Sequence, residues 1–216
     1  MSLFENITRR LFPGQAGYPS RWVVLDVESS GLDARNDRLI AIAAMAVHTE
    51  GPQARIALGD SFEVVLRQEV KVADKNNILL HGIGIGAQHQ GIDPAEALTA
   101  FERYIADSPL VAFHAAFDQT LILRACDAVL GRRPANPWLD LEPLAAVLLP
   151  KIKAHNLDEW MAALEIRCAV RHQAAADTLA TAELLQKLWP LAVRELGGNV
   201  GFGQAKALAG QRRWVT

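Results

Sequence analysis

The chain has 216 residues, half of them hydrophobic and 21% charged, with 22 basic against 24 acidic side chains and a net charge of −2. That length suits one domain with a sizeable core. The charge excludes a uniformly basic nucleic-acid coat, although clustered basic groups and metal ions can still supply a local positive field.

The opening segment, residues 1–20, is amphipathic and carries Glu5, Arg9 and Arg10. It lacks the apolar run and small-residue cleavage site of a signal peptide and reads as a short helical extension. Residues 21–27, 38–48 and 61–67 are apolar runs of strand length, and "ESSGLDARND" between the first two is rich in turn formers. The glycines at 82, 84 and 86 follow no strong strand and lead to no clear helix, so they do not make a dinucleotide fingerprint. From Asp93 the pattern turns helical, with Asp93 as N-cap and Pro94 at the first helical position. A short buried strand is expected over 109–113 and a helix over 116–131 that ends at a glycine. Further helices are expected over 138–149, 156–164 and 175–189, the last being amphipathic. Residues 21–190 form the expected domain, and 191–216 a tail or packing helix. No stretch approaches the ~20 apolar residues of a membrane span. Cys126 and Cys168 make no disulfide framework and suit a cytoplasmic location. Cys168 lies four residues before His172 with no second Cys/His pair, so zinc is not expected there.

Three stretches carry the chemistry: "VVLDVESSGL" (23–32), "LVAFHAAFD" (110–118) and "RHQAAADTLATAELL" (171–185). Asp26 and Glu28 stand two apart on a strand, so both carboxylates point to one face. Two anions that close repel, which is tolerated mostly where cations share the site. Asp118 sits where a strand gives way to a helix, and Asp177 in the early turns of another helix. Each of these acids alone is an ordinary cap or surface residue. His172 supplies an imidazole, the side-chain type suited to take a proton from a metal-bound water near neutral pH. Together they make four carboxylates and an imidazole, the ligand set of a two-metal phosphodiester-cleaving site.

The same residues carry a family resemblance. The pattern resembles the DEDDh 3′–5′ exonucleases of the ribonuclease H-like fold, and most of all the proofreading (epsilon) exonuclease subunits of bacterial DNA polymerase III. The motif D-x-E-T-T-G-L is matched by Asp26-Val27-Glu28-Ser29-Ser30-Gly31-Leu32. H-N-A-x-F-D is matched by His114-Ala115-Ala116-Phe117-Asp118. H-x-A-x-x-D-A-x-x-T-A is matched from His172 through Asp177 to Ala182. "LLHGIG" (79–84) is similar to a family segment near the bound 3′ end, which brings in His81. The resemblance covers about residues 21–190. Two departures stand out: the Thr pair is Ser29-Ser30, which keeps the hydroxyls, and the Asn is Ala115, which loses a hydrogen-bonding side chain.

The resemblance implies an α/β fold with a mixed central β-sheet flanked by α-helices. It implies two divalent ions, Mg²⁺ or Mn²⁺, held by Asp26, Glu28, Asp118 and Asp177, with His172 as the base. Ser29, Ser30, Gly31, Leu32, His81, His114 and Phe117 would surround the terminal nucleotide. Arg132, Arg133, Lys151, Lys153 and Arg171 are candidate phosphate contacts. The expected substrate is the 3′ end of single-stranded DNA, with RNA as the alternative, since oligoribonuclease and ribonuclease T share the same five residues. A DNA polymerase subunit would be a separate chain, and no membrane is expected. The rival from another class is a non-catalytic nucleic-acid or polymerase-binding module, which loss of a ligand would favour; none is lost.

Overall fold

The computed structural model describes residues 21–69, 82–198 and 200–214. The expected N-terminal helical extension and His81 lie outside the described residues. Five strands form one mixed sheet in the order β3-β2-β1-β4-β5. β1 (Arg21–Ser29), β2 (Leu39–Glu50) and β3 (Gln53–Val65) are antiparallel neighbours, while β4 (Leu110–Ala112) and β5 (Trp138–Asp140) run parallel to β1.

The period of two along β1 sorts its side chains. Val23, Leu25 and Val27 enter one core with helices α2 (Pro94–Ile105) and α3 (Ala116–Leu130). Trp22 and Val24 enter the other, against α4 (Leu141–Leu148), α5 (Leu157–Ala163), α6 (Ala174–Glu195) and α7 (Phe202–Ala209). Asp26 and Glu28 continue the register of Trp22 and Val24, so they point to the α6 face. The β1–β2 register slips between Glu28 and Ser29, with Ile40 of β2 as the extra residue, an irregularity of the kind common beside functional sites. The short α1 (Ile85–His89) precedes α2.

Three elements differ from expectation. β3 begins at Gln53, not 61, because its register jumps where Met45 pairs Ser61 and Ala46 pairs Ala57. The looped-out Leu58-Gly59-Asp60 reads as a turn in sequence. Residues 138–149 are not one helix: Trp138–Asp140 is a strand paired with β4, and Asp140 then caps α4 by accepting from the Glu142 amide at 3.1 Å. Helix α6 runs through Pro190 to Glu195, carried by buried Ala192 and Val193. After it, α7 buries Ala205, Leu208 and Ala209, and a 3₁₀ turn (Gly210–Trp214) follows. Among the described residues no helix is long and apolar enough to cross a membrane.

Candidate active site

The parallel strands β1, β4 and β5 all end on one side of the sheet, the side where open α/β sheets place ligands. A cavity of about 450 Å³ opens there, and Asp26, Glu28, Asp118, His172 and Asp177 all line it. β1 supplies Asp26 and Glu28. Asp118 lies in the first turn of α3 and Asp177 in the first turn of α6, each buried. The imidazole of His172 is exposed at the mouth.

Burial dominates the electrostatics. It drives the Asp26 carboxyl well above its ordinary value, with Asp118, Glu28 and Asp177 adding repulsion. It pushes Glu28 up to about 8, with Asp177 again contributing and Arg171 opposing. Burial raises Asp118 as well. Asp177 is the best-partnered of the four. One oxygen accepts from the His172 amide at 3.0 Å; the other meets the Arg171 guanidinium and the Cys168 thiol at 3.7 Å. Among the described residues no three His, Cys, Asp or Glu side chains form a finished metal cage. Like charges spread apart, and Arg171 stands among them as the cation the cavity wall provides.

Two histidines frame the site in the same unusual way. His114 (φ 57°) and His172 (φ 60°) both take the left-handed conformation, which non-glycine residues adopt at a cost and which clusters at functional sites. Each has its own amide held by a carboxylate: His172 by Asp177, and His114 by Asp140 at 2.9 Å. His114 is exposed, with its ring 4.5 Å from Phe113.

The loop after β1 is built inward. The Ser29 hydroxyl donates to the Gly31 carbonyl at 2.5 Å. Ser30 donates to Asp37 at 2.8 Å and accepts from the Arg38 amide at 2.9 Å. A Cβ at Gly31 would push the Asp37 carboxylate off its bonds to the Ser30 hydroxyl and the Asp33 amide. Ser29, Gly31, Leu32, His114 and Phe117 line the cavity; Ser30 does not. Leu32 is 90% exposed at the rim.

Of the five basic candidates for phosphate contact, only Arg171 reaches the cavity, and it is already paired there. It also grips Asp158 at 2.5 Å. Arg132 and Arg133 follow the far end of α3, about 20 Å from Asp118 at the helical rise, and pair with Glu102 and Asp127. Lys151 and Lys153 are exposed and lie outside the cavity wall. Two residues were not singled out from sequence. Asn156 lines the cavity while capping α5; its only sequence signal is the N-cap pattern. Asp140 was hidden inside what reads as a helix.

The exonuclease family model (RNase T) matches residues 23–185, three quarters of the chain. This chain belongs to the exonuclease family. A PolC-type DNA polymerase III from Bacillus subtilis (strain 168) is 32% identical over 192 residues, covering 85% of this chain and 13% of that protein. A DNA polymerase III subunit epsilon-like protein from Rhodobacter capsulatus is 30% identical over 172 residues, covering 78% of this chain and 24% of that protein. The chain therefore spans a quarter or less of the length of these relatives. E. coli exonuclease I in complex with a dT13 oligonucleotide matches in fold with a TM-score of 0.69 at 16% identity, over 82% of this chain and 43% of that one. The exonuclease chain thus has the mixed-sheet, ribonuclease H-like fold expected from its motifs.

Proposed function

We propose that the chain is a metal-dependent 3′→5′ exonuclease that trims single-stranded DNA and works beside a DNA polymerase. One observation supports this most: four carboxylates from three elements face one cavity that is short of positive charge. The donors are all carboxylate oxygens, which suit Mg²⁺ or Mn²⁺. Asp26, Glu28, Asp118 and Asp177 would hold these ions. When bound, such ions acidify water and neutralise charge on the phosphate.

The remaining work belongs to the side chains. His172 takes the proton of the attacking water at its exposed ring, and the hydrogen bond its backbone N–H donates to Asp177 keeps the residue beside the carboxylates. Gly31 lets the strand come close, while Leu32 and Phe117 offer apolar surface to the terminal base. Such contacts ignore base identity, as removal of any terminal nucleotide requires. The products are nucleoside 5′-monophosphates. The choice of DNA rests on the DNA polymerase III relatives and on the oligodeoxynucleotide held by exonuclease I.

The test uses 5′-labelled single-stranded DNA and RNA of matched sequence, with Mg²⁺ or Mn²⁺, beside Asp26→Asn. A metal-dependent ladder shortening from the 3′ end, faster on DNA and lost in the variant, is the expected result. Faster RNA decay would move the substrate to RNA. No decay of either by a folded protein would move the reading to a binding module.

A further inference from the structure

We propose that Asp140 is a positioning residue, whose carboxylate locks the left-handed turn at His114 and thereby fixes where Asp118 points. This rests on the exonuclease reading above. The chain leaves β4 at Ala112, which pairs directly with Asp140 of β5. Two residues later it turns at His114, and α3 starts at Ala116 with Asp118 in its first turn. That start is bare: Ala115 has no side chain able to cap it. The acceptor comes from the neighbouring strand instead. A single Asp140 oxygen takes the His114 amide at 2.9 Å and the Glu142 amide at 3.1 Å, and the Ala115 amide also faces this carboxylate.

One carboxylate therefore ties the beginnings of α3 and α4 together. Without it, the His114 turn has no acceptor for its amide and no reason to keep a left-handed backbone, which a non-glycine residue adopts only where its surroundings impose it. The C-terminal part of the chain, beyond the matched family region, braces this strut: Arg212 pairs with buried Glu142 in the first turn of α4. His172 is held in a parallel way. There a carboxylate that lines the cavity holds the left-handed histidine; at His114 the same task falls to a carboxylate outside it.

Two variants separate positioning from general stability. Asp140→Asn keeps an oxygen able to accept both amides. Asp140→Ser caps a helix about as well as aspartate does, but is one bond too short to hold the His114 amide as well. We expect Asp140→Asn to keep kcat within about threefold. Asp140→Ser should lose about 100-fold in kcat, the size expected of a displacement of about 1 Å, with KM nearly unchanged and Tm close to that of Asp140→Asn. Calorimetric Mn²⁺ titration reads the same displacement without turnover: the Ser variant should bind at least one ion about tenfold more weakly, and the Asn variant should not. Equal kcat and equal Mn²⁺ affinity in the two variants, with an active wild type, would overturn this inference alone. Unfolding of Asp140→Ser would also overturn it, because the bond would then hold the fold rather than Asp118. A wild-type chain that neither degrades nucleic acid nor binds Mn²⁺ would sink the exonuclease reading and this one with it.

Discussion

The two ends of β1 handle charge in opposite ways. At its start, Arg21 grips Asp60 with two bonds of 2.7 and 2.8 Å, donates to Ser108 at 2.8 Å and lies 4.8 Å from the centre of the Tyr104 ring. Tyr104 in turn donates to the Asp60 carbonyl at 2.8 Å. The Arg21 bonds hold the Asp60 carboxyl below its usual range, and burial pushes the Tyr104 hydroxyl up to about 12. Every charge at that end has a protein partner. Five residues on, Asp26 begins the acidic end, where burial and mutual repulsion raise three carboxyls and one arginine is the nearby cation. Buried polar groups are normally satisfied. The first end balances its charges within the fold, while the second crowds carboxyls beside one arginine, as the metal site proposed above requires.

The sharpest way to break this contrast is Asp26→Asn. It removes a proposed metal ligand and a buried carboxyl whose ionisation burial and its acidic neighbours oppose. We expect activity to fall about 10³-fold or more, as loss of a central catalytic group does. The metal-free Tm should rise near neutral pH, because a carboxyl whose ionisation the native site penalises has been replaced by a neutral group of the same shape. A lower Tm in the presence of EDTA would mean that Asp26 is structurally paired and the two ends are alike.

The pH dependence follows with its sign fixed. Glu28 in the native state holds its proton up to about 8, against an ordinary value near 4.5. Between these values the unfolded chain has released the proton and the native chain has not, so rising pH favours unfolding. Metal-free stability should therefore decline from about pH 4.5 to about 8 and level off above. Mn²⁺ takes the place of the protons, so it should flatten that decline and bind more tightly as pH rises. Tm measured across this range in EDTA and in Mn²⁺ checks both. A metal-free Tm that climbs with pH would show the carboxyls to be well solvated.

The reverse experiment is made at the satisfied end. Arg21→Ala removes the Asp60 pair, the Ser108 bond and the ring contact. Both partners are partly exposed, and screening trims the pair's contribution. The cost should be about 1–2 kcal/mol, or roughly 2–8 °C in Tm, with kcat unchanged at temperatures where the protein is folded. A fall in kcat there would mean that the two ends of β1 communicate.

This contrast was only half legible in sequence. Asp26 and Glu28 share a face by the strand period, so the acidic end could be read from spacing, and the third-motif residues could be placed on a helix by theirs. The Arg21–Asp60 pair could not. It depends on Leu58-Gly59-Asp60 looping out of β3, a detail fixed by pairing with β2 rather than by any local pattern. Asp140 escaped for a related reason: a strand of three residues has no period to detect, and its existence is decided by β4 beside it. The basic residues misled because charge in sequence says nothing about pairing. Arg132 and Arg133 spend theirs on Glu102 and Asp127.

The mildest prediction tests how firmly the acidic end is mounted. Asp177 and Thr178 are neighbours on α6 and both buried, yet they do different jobs. Asp177 faces the cavity; Thr178 donates to the Ala43 carbonyl of β2 at 3.2 Å, fastening the helix to the centre of the sheet. Thr178→Val keeps the shape and removes that bond, which should cost about 1 kcal/mol. Because α6 is also held by Leu184, Leu185 and Leu188 in the core, Asp177 should stay in place and kcat remain within about twofold. A tenfold loss of kcat with little change in Tm would mean that this one hydrogen bond, rather than the packing of the helix, sets the position of Asp177.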